Sequence, residues 1–157
     1  MPKAVPWHHF ESVRAELAAA GRRLLDLDNP RASASLATVE ADPAPRVLPV
    51  CPVLADGELW LLGVDRSAGY RDFQTNLQVT LRTLPTAEGG EEFQLRGVAE
   101  EMNDAGKLSA VIAKTEGRQG AHASAALFRV RIHSAMHTRW ENWGFAQAWP
   151  NYSMWRS

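Results

Sequence analysis

Apolar and polar residues alternate with a period of two in several parts of the chain. The alternation is clearest from Leu77 to Arg82, from Phe93 to Glu100 and from Phe128 to Met136. A period of two is typical of strands that bury one face and expose the other. The pattern therefore predicts a mainly β fold built from antiparallel strands.

The segment from Ser35 to Leu62 predicts the remaining strands. Pro49 and Pro52 lie within one of them, and proline cannot donate a ladder hydrogen bond, so that strand is expected at a sheet edge or at a bulge. Asp56-Gly57 is a strong hairpin signal. Three strands are predicted here, Ser35 to Glu40, Arg46 to Leu54 and Glu58 to Leu62, which makes six strands in all.

Helical spacing of apolar residues appears in three places. The first segment, Phe10 to Leu27, predicts a covering helix with a kink or local break at Gly21. A second, short helical segment follows the third strand. The third follows an N-cap at Asn103 or Asp104. Its predicted buried residues are Leu108, Val111 and Ile112.

The last predicted strand carries a set of basic residues at odd positions. They are Arg129, Arg131, His133, His137 and Arg139. We expect one basic face, which is either a solvated outer face or a surface that meets an anion. His133 and His137 are four residues apart, roughly 13 Å along a strand, which is too far for a shared ion. No metal site is predicted.

Composition narrows the class of protein. The 157 residues are expected to form a single domain, with 45% hydrophobic and 22% charged residues and a net charge of −1. This balance argues against nucleic acid as a partner. The sequence contains no apolar run long enough for a membrane span, so we expect a cytoplasmic protein with no membrane partner. The single Cys51 is expected to be a buried, inert thiol.

The segment after Arg139 is rich in aromatic residues. Trp140, Trp143, Trp149 and Trp155 are four of the six tryptophans in the chain. We expect a division into a helical cover (1–30), a barrel (33–140) and an aromatic tail (141–157). The tail either packs across a partner subunit or forms a lid over a planar ligand.

The strand and helix order resembles that of the FMN-binding split barrel, in the wider family of pyridoxamine 5′-phosphate oxidase-like proteins. The resemblance extends from Ala18 to Trp140. Its most specific parts are "ATVEADPAPRVLPV", "DGELWLL" and the spacing S-x-x-x-R-D-F-x-x-N from Ser67 to Asn76. It implies a six-stranded antiparallel barrel with flanking helices and a homodimer with two ligand sites at the subunit interface.

The resemblance also implies which residues hold the cofactor. The second strand would lie along the flavin ring and ribityl chain, and Leu62 and Gly63 would flank it. Ser67 and Arg71 would approach the phosphate, and Arg66 would add charge. The implied cofactor-binding residues are Arg46, Val47, Pro49, Val50, Leu62, Gly63, Arg66, Ser67 and Arg71.

The chain departs from the family pattern at the phosphate. Flavin-binding relatives usually carry Lys where this chain has Gly69, and the oxidases often carry Arg where it has Ala68. The C-terminal Trp and Arg pattern of the oxidases is not reproduced, so pyridoxamine phosphate oxidase activity is not expected. No side chain is assigned a catalytic role.

The predicted function is an FMN-binding oxidoreductase-like protein that acts on an unidentified small molecule with a nicotinamide donor. Two alternatives remain open. One is a non-catalytic protein that binds haem or a deazaflavin on the same barrel, with His122, His133 or His137 as an axial haem ligand. The other is a dimer that has lost its cofactor.

Overall fold

The computed structural model describes residues 2–29, 33–63, 68–115 and 125–157. Within this part of the chain there are four helices, α1 (Trp7–Val13), α2 (Ala15–Leu24), α3 (Ala68–Thr75) and α4 (Ala105–Thr115). The same residues form eight strands, β1 (Ala34–Val39), β2 (Pro45–Val50), β3 (Val53–Ala55), β4 (Glu58–Gly63), β5 (Gln78–Arg82), β6 (Glu91–Glu101), β7 (Ala126–Glu141) and β8 (Trp149–Arg156).

All the strand pairs are antiparallel and belong to one sheet. The strand order is β2-β1-β5-β6-β7-β4-β3, and β8 pairs with β7 outside this path. The mainly β fold class and the edge position of β2 are therefore confirmed. The strand count is eight rather than six.

The two additional strands have identifiable causes. The predicted strand from Arg46 to Leu54 is divided into β2 and β3, with Cys51 and Pro52 between them. Pro52 has no N–H to continue the ladder, which favours an interruption there. The predicted aromatic tail contains β8, which folds back onto β7 within the same chain.

The predicted N-terminal helix is two helices, and the break lies at Arg14 rather than at Gly21. Arg14 has φ −141° and ψ 62°, and its guanidinium donates to the Met154 carbonyl at 2.8 Å. Gly21 lies inside α2, where a Cβ would come within 2.5 Å of the Phe93 ring. This glycine allows α2 to pack closely on β6.

The hydrophobic core lies between the sheet and the two N-terminal helices. Its fully buried side chains include Trp7, Phe10, Leu36, Leu81, Phe93, Leu95, Phe128 and Ile132. Burial of this apolar surface is the main favourable contribution to folding. α4 begins after Asp104, whose carboxylate accepts the Lys107 N–H at 3.0 Å, so the predicted N-cap is confirmed.

A bulge in β7 changes the predicted basic face. Arg96 pairs with Ser134 and Gly97 pairs with Ile132, so His133 is an extra residue in β7. The insertion reverses the alternation, and His137 is paired opposite the buried Phe93. The expectation of a single basic face is therefore wrong, because the residues before and after the bulge lie on opposite faces.

Candidate functional site

The outer face of β2 is apolar and open. Val47 is 69% exposed, and Pro45 and Pro49 on the same face are also exposed. In the described part of the chain β2 pairs with β1 alone. One edge of β2 is therefore available to a ligand or to a partner chain.

The hydrogen-bonding pattern indicates which backbone groups face this edge. The Glu40 N–H donates to the Ala44 carbonyl at 3.0 Å at the end of the β1–β2 hairpin. Backbone groups on an antiparallel strand point alternately toward and away from the neighbouring strand. Counting from this bond, Val50 points toward β1, whereas the Val47 N–H and the Pro49 carbonyl point to the open edge.

Arg46 is engaged by carboxylates of its own chain. Its Nε donates to the Asp72 Oδ2 at 2.9 Å, and one of its two terminal nitrogens, Nη2, is paired with the Glu40 carboxylate. Asp72 is buried and also accepts a hydrogen bond from the Thr38 hydroxyl at 2.6 Å. The hydrogen bond to Asp72 is the main cause that raises the pKa of Arg46. The two carboxylates offset the charge that Arg46 would bring to a phosphate.

Helix α3 joins the parts of the predicted site. Asp72 connects it to β1 and β2, and the Phe73 ring lies 4.6 Å from the Phe128 ring on β7. The Tyr70 hydroxyl lies 3.2 Å from the Glu101 carboxylate. Arg71 lies between these anchored residues, is exposed, and forms no ion pair or hydrogen bond with any residue that the structure describes.

Leu62 and Gly63 end β4 next to this helix. Gly63 pairs with Ala126, and a Cβ on it would lie 3.0 Å from the Phe128 ring. Both residues are half-buried. Gly63 is therefore close to the Phe128 ring, which Phe73 of α3 also contacts.

Several predicted site residues lie outside the described residues. These are Arg66 and Ser67, the side chains at positions 68 and 69, and His122. Of the predicted phosphate-binding residues, the structure describes Arg71 and Arg46.

The two described candidates for an axial haem ligand differ in their surroundings. His137 is paired with Glu91 at 3.1 Å. His133 lies at the β7 bulge, where burial lowers its pKa and the positive charges of Arg96 and Arg156 lower it further. His133 therefore has the environment that favours a neutral imidazole.

Two clusters were missed by sequence reasoning. One is the set of Asp72, Thr38 and Glu40 around Arg46. Asp72 belongs to the Ser67–Asn76 motif, but its burial depends on the packing of α3 against β1, which has no local signal. The other cluster surrounds Glu91, which accepts hydrogen bonds from Arg23 and lies 3.1 Å from His137.

Two other features are absent from the part of the chain that the structure describes. Among the residues that the structure describes, no three His, Cys, Asp or Glu side chains converge to hold a metal ion. None of the described helices is long and apolar enough to cross a bilayer.

Neither the comparison with protein-family models nor the comparison with curated proteins finds a match to this chain. Solved structures are similar in fold. A NimC/NimA family protein from Clostridium acetobutylicum has a TM-score of 0.64 at 15% identity, with 92% of this chain and 99% of that chain covered.

Two further similar structures differ in their named ligands. An F420 reductase has a TM-score of 0.56 at 19% identity, with 73% of this chain and 94% of that chain covered. A heme binding protein from Mycobacterium smegmatis has a TM-score of 0.61 at 18% identity, with 85% of this chain and 57% of that chain covered.

At these identities the similarity concerns the fold. The similar structures are split-barrel proteins, and the chain has the split-barrel fold, with a mainly β antiparallel sheet and flanking helices. One fold can host several ligands, so the fold alone does not define the ligand of this chain.

Proposed function

We propose that the protein is a homodimeric, FMN-binding oxidoreductase-like protein that acts on a small molecule. The observation that carries the proposal is the open edge of β2. Val47 supplies an edge N–H between two prolines, on an exposed apolar strand that suits one side of a flavin ring. A bound flavin would supply the redox step at its ring, and the protein would supply orientation and ring hydrogen bonds.

Arg71 supports a phosphate end to this site. It is exposed and forms no ion pair with the described residues, so its fork of donors is free for two phosphate oxygens. Arg46 contributes less charge, because Glu40 and Asp72 already pair with it. The proposed cofactor residues are therefore Val47, Pro49, Leu62, Gly63 and Arg71, together with Arg66 and Ser67.

A titration of the purified protein with FMN, followed by flavin fluorescence, tests the proposal. Riboflavin is the control that lacks the phosphate. We expect FMN to bind at micromolar concentration or tighter and riboflavin at least about tenfold more weakly, since one charge-assisted contact is worth about 1.5–3 kcal/mol. Absence of binding by both compounds would remove the flavin function and leave the fold unaffected.

The Arg71→Ala variant sharpens the test. If Arg71 holds the phosphate together with Arg66 and Ser67, the variant should bind FMN more weakly and show a smaller preference for FMN over riboflavin, while keeping the wild-type circular dichroism spectrum. An unchanged preference for FMN would exclude Arg71 from the site.

Deazaflavin and haem are the second candidates. The fold similarity to an F420 reductase and to a heme binding protein favours their inclusion. Of the two described candidate haem ligands, His133 has no carboxylate partner among the described residues, whereas His137 pairs with Glu91. Addition of haem with observation of a Soret band that is lost in His133→Ala would favour haem over FMN.

A further inference from the structure

A pocket lies on strands β6, β7 and β8, apart from the proposed flavin site at β2 and α3. It has a volume of about 390 Å³, which is within the range of small-molecule pockets. Its lining residues include Gln94, Arg96, Ser134, Met136, Met154 and Arg156. The strand order separates β6, which carries Arg96, from β2 by three strand spacings, roughly 14 Å. The pocket shares no residue with the proposed flavin site.

Two arginines lie on opposite sides of one serine in this pocket. Ser134 on β7 is paired with Arg96 on β6 and with Arg156 on β8. Residues paired directly across strands project from the same face, so the three side chains form one row. The two outer backbones are two strand spacings apart, about 10 Å, which long arginine side chains can bridge toward a common ligand.

The charges of this row are not compensated within the described residues. Neither Arg96 nor Arg156 forms an ion pair or a side-chain hydrogen bond there, whereas Arg82 and Arg129 on neighbouring strands are each paired with a glutamate. Like charges on one face repel each other. An anion between the two guanidiniums would remove this repulsion.

The next row of the pocket is less polar. Gln94 pairs with Met136, which in turn pairs with Met154. Methionine side chains are flexible and polarizable, and they adapt to apolar bodies of different shape. The pocket therefore has a doubly positive end next to an adaptable apolar end.

We propose that this pocket binds a small organic dianion. Its charged group would lie between Arg96 and Arg156, and its apolar body would lie against Met136 and Met154. Two guanidinium groups and the Ser134 hydroxyl offer enough donors for a phosphate monoester or for a pair of carboxylates. The same two guanidiniums and hydroxyl would bind either group, and the experiment below distinguishes a phosphate monoester from a dicarboxylate.

The test is an NMR titration of the full chain with phenyl phosphate and with phthalate, and with benzyl alcohol as the neutral control. The backbone amides of Ser134 and Arg156 report binding. We expect at least one dianion to bind about tenfold more tightly than benzyl alcohol, and Arg96→Gln or Arg156→Gln to weaken it about tenfold each. Selective binding of phenyl phosphate or of phthalate identifies the charged group.

Arg139→Gln is the matched control, since Arg139 lies on the same strand as Ser134, is 73% exposed and does not line this pocket. It should bind the dianions like the wild type. Thermal unfolding of each variant separates loss of binding from loss of fold, and Ser134→Ala provides a third substitution in the row. Binding that is equal in Arg96→Gln, Arg156→Gln and the wild type, or equal for benzyl alcohol and the dianions, would overturn the proposal.

Discussion

Asp72 accepts a hydrogen bond from the Arg46 Nε at 2.9 Å while 4% of the aspartate is exposed. The aspartate comes from α3 and the arginine from β2, so one contact joins the helix to the edge strand. Thr38 completes the arrangement from β1 with a 2.6 Å hydrogen bond to the same carboxylate oxygen. This contact fixes the residue next to Arg71 and thereby the helix on which the proposed phosphate contact depends.

Removal of the Asp72 carboxylate should therefore destabilise the protein. We expect Asp72→Ala to lower the free energy of unfolding by about 2 kcal/mol, since it leaves the buried Thr38 hydroxyl without its acceptor. Urea denaturation measures the effect. Glu88→Ala, at an exposed loop position, is the control and should change stability by less than about 0.5 kcal/mol. Equal stability of the two variants would show that Asp72 does not anchor α3.

Much of the fold was predictable because its signals are local. The alternation at Val79 and Leu81 and at Phe93 and Leu95 follows directly from one buried sheet face, and these four residues are buried. Pro49 in β2 and Pro52 just after it likewise indicated a sheet edge or a bulge, because each lacks the N–H that a ladder needs.

The parts that could not be predicted depend on contacts between distant segments. The β7 bulge at His133 is defined by the register shift between β6 and β7. The sequence of β7 by itself does not indicate it. The pairing of Arg46 with Asp72 depends on how α3 packs against β1. The sequence therefore suggested that the charge of Arg46 is available to a ligand, although Arg46 forms ion pairs with two carboxylates.

Gly97 should not tolerate a side chain. A Cβ at this position would lie 2.0 Å from the Arg131 carbonyl oxygen, and a backbone atom in a sheet cannot easily move away. We expect Gly97→Ala to cost about 3 kcal/mol, at the upper end for an overpacked site, measured by thermal or urea unfolding.

Gly89→Ala is the matched control for this glycine. The nearest atom to its added Cβ is the Thr86 hydroxyl at 3.6 Å, which is ordinary contact. This variant should have wild-type stability within about 0.5 kcal/mol. If Gly97→Ala is equally stable, the close approach of β6 and β7 at the bulge is incorrect.

The Glu91 cluster predicts a pH dependence of stability. The hydrogen bond from Arg23 is the largest cause that lowers the pKa of Glu91, and His137 contributes in the same direction. A carboxyl group whose pKa is lower in the folded state stabilises the fold above its unfolded pKa. That contribution is lost as the pH falls through the folded pKa.

We therefore expect Glu91→Gln to reduce stability at pH 7 by about 0.5–1 kcal/mol, a modest value because Arg23 is more than half exposed. The difference between Glu91→Gln and the wild type should shrink as the pH is lowered toward 3. Urea titrations at a series of pH values measure this. A difference that stays constant down to pH 3 would contradict the assignment of the effect to Glu91 ionisation.

The β7–β8 hairpin carries the prediction about assembly. Phe145, Trp149 and Tyr152 are 71%, 67% and 57% exposed, whereas Trp155 packs on Phe10 within the same chain at 4.9 Å. Exposed aromatic residues at this density are typical of protein–protein interfaces.

If the hairpin contacts a second copy of the chain, Tyr152→Glu should shift the protein from dimer to monomer and leave its circular dichroism spectrum unchanged. Analytical ultracentrifugation measures the shift, with Leu84→Glu, an exposed residue in the loop after β5, as the control. A Tyr152→Glu variant that sediments like the wild type would exclude the hairpin as a contact between copies of the chain.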